Sequence, residues 1–527
     1  MRRLSVIDGI FLRTHQGMGT PIALQGLWRT ADPVDRARLD RLHDALRVGP
    51  LGRRVVRSRI PGARDRWQTS TRAHPLDMAS APVRVDDILP WADGQGAALD
   101  PWRGPGWRLS AAPLTDGGTV VALTCSHVLA DARGLVIAVE QALGVPAENG
   151  PERESGPGCE PAPGRDNRTG GSAQPGGDPE SDWVDAAETC ATVLAGTVRA
   201  ARTALRRALT AERVRLWRRH EMPAGMPGGN RSDRENGPAE LCTASDPARN
   251  APSGSPADSA GYRAGSVVVS SPGETGNRAT VRESGESRES RGGDRASESD
   301  SSDPVGPAVA HADLPVPALV LRCPAREWDR VAAVSGGTPN SLFIWLVANL
   351  LWTSGFPERG IVASLPVDTR DEPRIDNDLA MTEIVVAPGD DPGAIRAKSR
   401  AAYERRISSP GGLPEEFLHL VPDRVAYLLS RGAGERDILC SNIGPIPAPL
   451  HALGPHDCTG VAARAIHPGL TYARRPRTRL SGYLCRFRDD YLLTLASLDP
   501  ARVPDATELH RLAADTAWRI GLPMVPW

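Results

Sequence analysis

Apolar residues recur along this chain at two spacings, and the changes between them mark out its parts. Residues 119–124, Thr-Val-Val-Ala-Leu-Thr, form a short β-branched run closed upstream by Asp116-Gly117-Gly118, which predicts a turn feeding a buried strand. Residues 134–143 then have the length and spacing of a helix packed on that strand. Upstream, Val34, Leu39, Leu42 and Leu46 fall on or near one face of a helix over 33–47, and strands are predicted at 53–58 and from 111 onward. In the second half, 317–322 reads as a strand, Thr338-Pro339 as an N-cap and first-turn proline for a helix running to Trp352, and 360–365 as a buried strand. The apolar run 342–352 is interrupted by Asn349 and is far shorter than the roughly 18 to 20 residues a membrane span needs, so it reads as a buried core helix.

Between these halves the pattern fails. Residues 146–180 and 222–311 are rich in Pro, Gly, Ser, Arg and Glu, with too little apolar surface to offset the entropy of ordering, and are expected to be disordered. The exception is 183–219. Trp183, Ala187, Cys190, Leu194, Val198, Ala201, Leu205 and Leu209 recur every three or four residues, and Arg199, Arg202, Arg206, Arg207, Arg213, Arg215, Arg218 and Arg219 crowd the second half. This is a basic amphipathic helix with two readings: adsorption to an anionic membrane or lipid-droplet surface, or packing of the stripe on the folded lobes. The expected organisation is a lobe over 1–145, an insertion over 146–312 and a second lobe over 313–527, with alternating strands and helices that give an α/β (α+β) fold.

Composition removes several functions. The formal charge is -1 over 527 residues, which supplies no basic field for nucleic acid. Lys398 is the sole lysine. The beginning of the chain lacks the apolar core of a secretory signal, so a cytoplasmic protein, peripheral to a membrane if the helix adsorbs, is expected. The 8 cysteines are scattered with no C-x-x-C pair, which fits reduced thiols; Cys125, Cys323 and Cys440 lie in strand-like runs and read as core residues. His451, His456 and Cys458 are close in sequence without a zinc-ligand spacing, so no metal is expected.

The residues with most chemistry are His127 and Asp131, an H-x-x-x-D pattern just after the 119–124 strand. A strand end can aim an imidazole into a cleft; read without its neighbours, His127 is a histidine closing a buried strand. Its surroundings give the pattern more meaning. Cys125-Ser-His-Val-Leu-Ala-Asp-Ala132 resembles the H-H-x-x-x-D-G motif of the acyltransferase superfamily with the chloramphenicol-acetyltransferase fold, which includes peptide-synthetase condensation domains and bacterial wax ester synthase/diacylglycerol acyltransferases. Leu4-Ser-Val-Ile-Asp-Gly-Ile-Phe-Leu12 resembles the L-S-x-x-D-x-x-F-L opening of the wax synthase group, Pro105-Gly-Trp107 its P-L-W element, and Ser441-Asn-Ile-Gly-Pro445 its S-N-V-P-G-P element with one proline missing. Pro366-Val-Asp-Thr-Arg370 is similar to the superfamily's P-V-x-x-R, and Asp376-Asn377-Asp378 to the polar segment after it, where asparagine is usual. The resemblance covers about 1–145 and 313–527.

What the resemblance implies is two lobes with a cleft or channel between them, Arg370 paired with Asp131 to fix the loop, and Ser441 and Asn442 facing the cleft, able to donate to an oxyanion; Ser126 and Asn377 complete the polar lining. Ser126 stands where the family has its first histidine, Ala132 where it has the motif glycine, and Asn340-Ser341 where it has Asn-Asp. If the glycine position needs positive φ, Ala132 is strained by about 1 to 2 kcal/mol and Gly134 takes over the bend. The expected activity is O-acyl transfer from acyl-CoA to a lipophilic alcohol or diacylglycerol, with His127 as general base, no covalent intermediate and no cofactor beyond the acyl-CoA co-substrate. Two alternatives stay open. One is a condensation-type enzyme taking its acyl group from an acyl carrier protein; the other is a catalytically silent, membrane-associated relative.

Overall fold

Both halves of the chain build mainly antiparallel ladders, and the second half lends two strands to the sheet of the first. The computed structural model describes residues 2–144, 179–220, 312–405, 415–430 and 435–527. The expectation of disorder over 146–180 and 222–311 falls almost wholly outside these residues.

The first half runs α1 (Val6–Arg13), β1 (Ala23–Thr30), α2 (Arg36–Val48), β2 (Arg53–Val56), β3 (Arg66–Thr69), β4 (Asp77–Met78), α3 (Ile88–Asp93), β5 (Trp107–Pro113), β6 (Thr119–Ser126), α4 (Ala132–Gly144) and α5 (Pro179–His220). The second half continues with β7 (Ala318–Pro324), α6 (Ala325–Val334), α7 (Pro339–Thr353), β8 (Ile361–Asp368), β9 (Leu379–Val386), α8 (Pro392–Arg405), α9 (Phe417–Leu420), α10 (Asp423–Ser430) and β10 (Ile438–Pro445). It closes with β11 (Ala452–Leu453), β12 (His456–Ile466), β13 (Leu480–Phe487), β14 (Asp490–Ser497), α11 (Ala506–Trp518) and β15 (Val525–Pro526). The fold is mixed α/β.

One sheet has the order β11-β12-β1-β6-β5-β4 and the other β15-β7-β14-β13-β10-β8-β9. The sheet boundary therefore differs from the sequence division at 313. β12 comes from the second half yet pairs antiparallel with β1 along almost its whole length, from Ala23↔Ile466 to Thr30↔Cys458. Hydrophobicity along β12 gives no sign of which sheet it joins, because either sheet would bury Val461 and Ala462 equally well.

A core shared by the sheets holds Leu24, Leu123 and Cys125 from the first and Cys485, Phe487 and Leu492 from the second. A separate core packs Phe343, Leu346, Val347 and Leu350 of α7 against its own sheet and α11. As predicted, Thr338 caps α7; its hydroxyl accepts from the Ser341 N–H while Ser341 returns a bond to the Thr338 backbone. Cys125, Cys323 and Cys440 are buried in strands, as expected.

α5 spans the predicted amphipathic segment, and between Asp182 and Val193 it packs on the first lobe with a face other than the apolar stripe. Asp182, Asp185, Ala186, Thr189 and Val193 are buried, whereas Trp183 is 62% exposed, Val184 58% and Leu194 68%. Ion pairs decide the orientation. Asp182 lies 2.6 Å from Arg3 and 3.3 Å from Arg66, and Asp185 lies 2.6 Å from Arg64 and accepts the Arg64 backbone N–H at 2.7 Å.

The expected strain at Ala132 is absent. Ala132 is the first residue of α4, and the only non-glycine residues with positive φ among those described are Ala98 and Arg488. The glycine that matters is Gly134: a Cβ there would lie 2.2 Å from the Ile375 carbonyl oxygen, so the absence of a side chain lets the 370–378 loop cross α4.

Candidate active site

His127 follows β6 directly, and its backbone N–H still bonds the Ile22 carbonyl at 2.9 Å, extending the β1–β6 ladder by one residue. The imidazole is partly buried and stacks on Phe11 of α1, with ring centroids 3.8 Å apart and planes 16° from parallel. Its Nδ1 lies 3.0 Å from Asn377 Oδ1. The orientation of that amide is fixed on its other side: Asn377 Nδ2 donates to Asp8 Oδ1 at 2.7 Å and to the His127 carbonyl at 2.8 Å. The nitrogen faces acceptors, so the oxygen faces the ring, and Nδ1 must carry the proton. Nε2 is left as the lone pair. Burial holds the imidazole below the usual histidine range, against an opposing bond to its own backbone and the charge of Asp131. The ring is therefore neutral at pH 7 and able to accept a proton at Nε2.

Asp131 and Arg370 meet as the motif implies, with Arg370 Nη2 2.5 Å from Asp131 Oδ1 and both side chains almost fully buried. The same carboxylate accepts the Gly134 N–H at 2.8 Å, which caps α4, and the Asp378 N–H at 3.1 Å. Arg370 is further held by the carbonyls of Asp376, at 2.6 Å, and Arg374, at 2.9 Å. One buried pair thus fastens the loop that carries Asn377 to the start of the helix after His127.

Asn377 was expected to line the substrate side; both hydrogens of its amide are spent on Asp8 and on backbone carbonyls behind the ring. Ser126 is 2% exposed, and its nearest backbone donor is Val128 N–H at 3.4 Å. Ser441 and Asn442 separate according to strand alternation. Ser441 pairs with Tyr483, whose hydroxyl reaches the Ala465 backbone in the first sheet, so Ser441 faces that sheet. Asn442 turns the other way; its Nδ2 donates to Asn340 Oδ1 at 3.0 Å and its Oδ1 accepts the Gly444 N–H at 3.0 Å. His451, His456 and Cys458 have other surroundings: His456 pairs with Asp32 at 2.7 Å, His451 bonds the Ile446 carbonyl at 2.9 Å, and Cys458 is buried in β12.

Asp8 escaped the sequence reading as a site residue. Both of its oxygens are occupied, by Asn377 and by the Ser5 N–H at 2.9 Å, and burial pushes its pKa up to about 6. The available signals were the Ser5-x-x-Asp8 capping box, which marks a helix start, and the L-S-x-x-D-x-x-F-L resemblance; neither hints that the carboxyl continues to an asparagine 369 positions away. Arg53 was missed as well: it is buried over the Trp67 ring at 3.9 Å and bonds Asp376 at 2.5 Å and the Leu129 carbonyl.

No family model matches this chain, and neither does any curated protein. Solved structures to which it is similar include a wax ester synthase/diacylglycerol acyltransferase from Marinobacter aquaeolei VT8, at 12% identity over 99% of this chain and 100% of that one with a TM-score of 0.44. The first condensation domain of the CDA synthetase is similar at 14% identity over 98% and 96%, TM-score 0.47. Polyketide synthase associated protein 5 from Mycobacterium tuberculosis is similar at 11% identity over 98% and 98%, TM-score 0.45. These likenesses concern the course of the chain and carry no information on substrate.

Proposed function

We propose that the protein is an O-acyltransferase that moves an acyl group from a thioester, acyl-CoA in the first instance, to a lipophilic alcohol or diacylglycerol. The observation that carries this reading is the hydrogen-bond chain Asp8–Asn377–His127, which fixes the proton on Nδ1 and leaves Nε2 basic. Nε2 takes the hydroxyl proton as the alcohol oxygen attacks the thioester carbonyl; the C–S bond then breaks, and the imidazolium returns the proton to the thiolate. Ester and free thiol are the products, and no enzyme-bound acyl group forms. Ser441, facing the first sheet, is a candidate donor to the developing oxyanion in this reading, and Asp131 and Arg370 hold the loop that carries Asn377.

The outward stripe of α5 supports an anionic lipid surface as a partner, since Trp183, Val184 and Leu194 are exposed and the sequence continues with arginines. No single helix among the described residues is long and apolar enough to cross a membrane. Binding to phosphatidylglycerol vesicles, weakened severalfold in the double variant Trp183→Ser, Leu194→Ser with an unchanged melting curve, tests this surface.

The chemistry is tested on purified protein with palmitoyl-CoA, and in parallel a carrier-protein thioester, against a panel of alcohols and diacylglycerol. Wild type forms ester; His127→Ala, folded, loses about 10² to 10⁴-fold. Because His127 works as a base with a lowered pKa, kcat/KM rises with pH through a value below 6.5 and is level above it. Transfer only from the carrier-bound donor replaces acyl-CoA as the substrate, and equal activity in His127→Ala overturns the mechanism.

A further inference from the structure

His467 ends β12 in the same way that His127 ends β6. Ala23 of β1 pairs on one side with Ser126 and on the other with Ile466, so the next residue of each outer strand, His127 and His467, comes level with Ile22. The two histidines stand in one row across three adjacent strands, with their Cα atoms about 10 Å apart by ordinary strand spacing. Side chains in one such row share a face. Two residues back, that face carries Cys125 and Ala465, and on the β12 side it adjoins the second sheet: Cys485 Sγ lies 3.4 Å from the Val461 carbonyl, and the Tyr483 hydroxyl meets the Ala465 backbone. Ser441 faces the same space from the opposite sheet.

The His127 imidazole is held by Asn377 and stacks on Phe11. His467 is partly buried and makes no side-chain hydrogen bond or ion pair among the described residues. Burial, with a smaller contribution from the charge His127 would carry, pushes its pKa down to about 4, so it stays neutral beside a protonated His127. An imidazole without a partner, facing a second one across the width of two strands, suits a carbonyl held between them.

We propose that His467 is a second catalytic residue of this site, donating its imidazole N–H to the thioester carbonyl oxygen as that oxygen becomes an oxyanion while His127 removes the hydroxyl proton. The proposal rests on the acyltransferase reading. A neutral imidazole is a competent donor to a developing oxyanion, and the proton stays on His467 throughout, so the proton balance of the reaction is unchanged.

The test is steady-state kinetics of wild type, His467→Ala, His467→Gln and His127→Ala with palmitoyl-CoA and the best acceptor. Loss of one oxyanion donor lowers kcat about 10² to 10³-fold with little change in KM, and glutamine, which keeps an N–H donor, restores part of it. If His467→Ala fails to fold, the kcat of His467→Gln against His467→Leu decides. A wild type that is active and silenced by His127→Ala, with His467→Ala within twofold of wild type, overturns the role of His467 and leaves the acyltransferase reading standing. No transfer by wild type from any donor overturns both.

Discussion

Asp131 and Asp8 are both buried carboxylates whose bonds lead to His127, and they are solvated by different means. Asp131 is filled by the Arg370 guanidinium and two backbone N–H groups. Asp8 has the Asn377 amide and the Ser5 N–H, and no arginine hydrogen bond. Charge is paired directly at Asp131; at Asp8 it meets amide hydrogen bonds and the Arg53 charge only through space, and burial outweighs these to raise its pKa to about 6. The difference separates two tasks in one site. A matched ion pair holds backbone segments together; a carboxylate met by amides spends its acceptor strength on orienting an asparagine, which in turn orients the ring.

The strongest way to break this comparison is Arg370→Ala. It strands Asp131 in the interior and is expected to cost about 3 to 5 kcal/mol in urea unfolding, with activity lost alongside. A similar cost for Asp8→Asn would mean that the two carboxylates do the same work. The next effect is a pH dependence. Folded Asp8 keeps its proton to about 6 while the unfolded group releases it near 3.8, so stability is lost as pH rises through that window, by about 3 kcal/mol, and stays level above it. The difference between wild type and Asp8→Asn, measured from pH 3.5 to 7, isolates this term; a stability gain with rising pH would show Asp8 to be ion-paired after all. Gly134→Ala sharpens the Asp131 side, since the new methyl meets the Ile375 carbonyl oxygen and the loop must shift, at about 1 to 3 kcal/mol. The smallest effect is Ala132→Gly. In the first turn of α4 it should cost about 0.5 to 1 kcal/mol through backbone entropy, whereas stabilisation would mean that the position prefers positive φ.

The sequence made the local part of the site legible. A β-branched run, a histidine and an aspartate three residues before a glycine foretell a strand, a turn and a capped helix, because each is governed by neighbours within a few residues. Arg370 was legible through a motif resemblance. Asn377 was legible in the same way, though as substrate lining and not as the support of the ring; Asp8 sits in a helix start, and His467 acquires meaning only once β12 lies beside β1. Periodicity also located α5, but the stripe it marked for packing on the lobes is exposed at Trp183 and Leu194, since hydrophobic spacing could not foresee that Asp182 and Asp185 would find Arg3, Arg64 and Arg66 waiting. α7 shows the opposite case. Its apolar residues are buried on several sides, and the pattern alone was enough.

The two strands, β11 and β12, that the second half lends to the first sheet make the halves dependent on each other for completion. A polypeptide ending at 144 would leave β1 with a bare edge of backbone donors and acceptors where β12 belongs, a template for self-association. A polypeptide beginning near 312 would carry β12 with no sheet to enter. Cutting the chain within 222–311 should therefore give fragments that aggregate when made singly and combine into one particle when made together, with His127 supplied by one fragment and both Asn377 and His467 by the other.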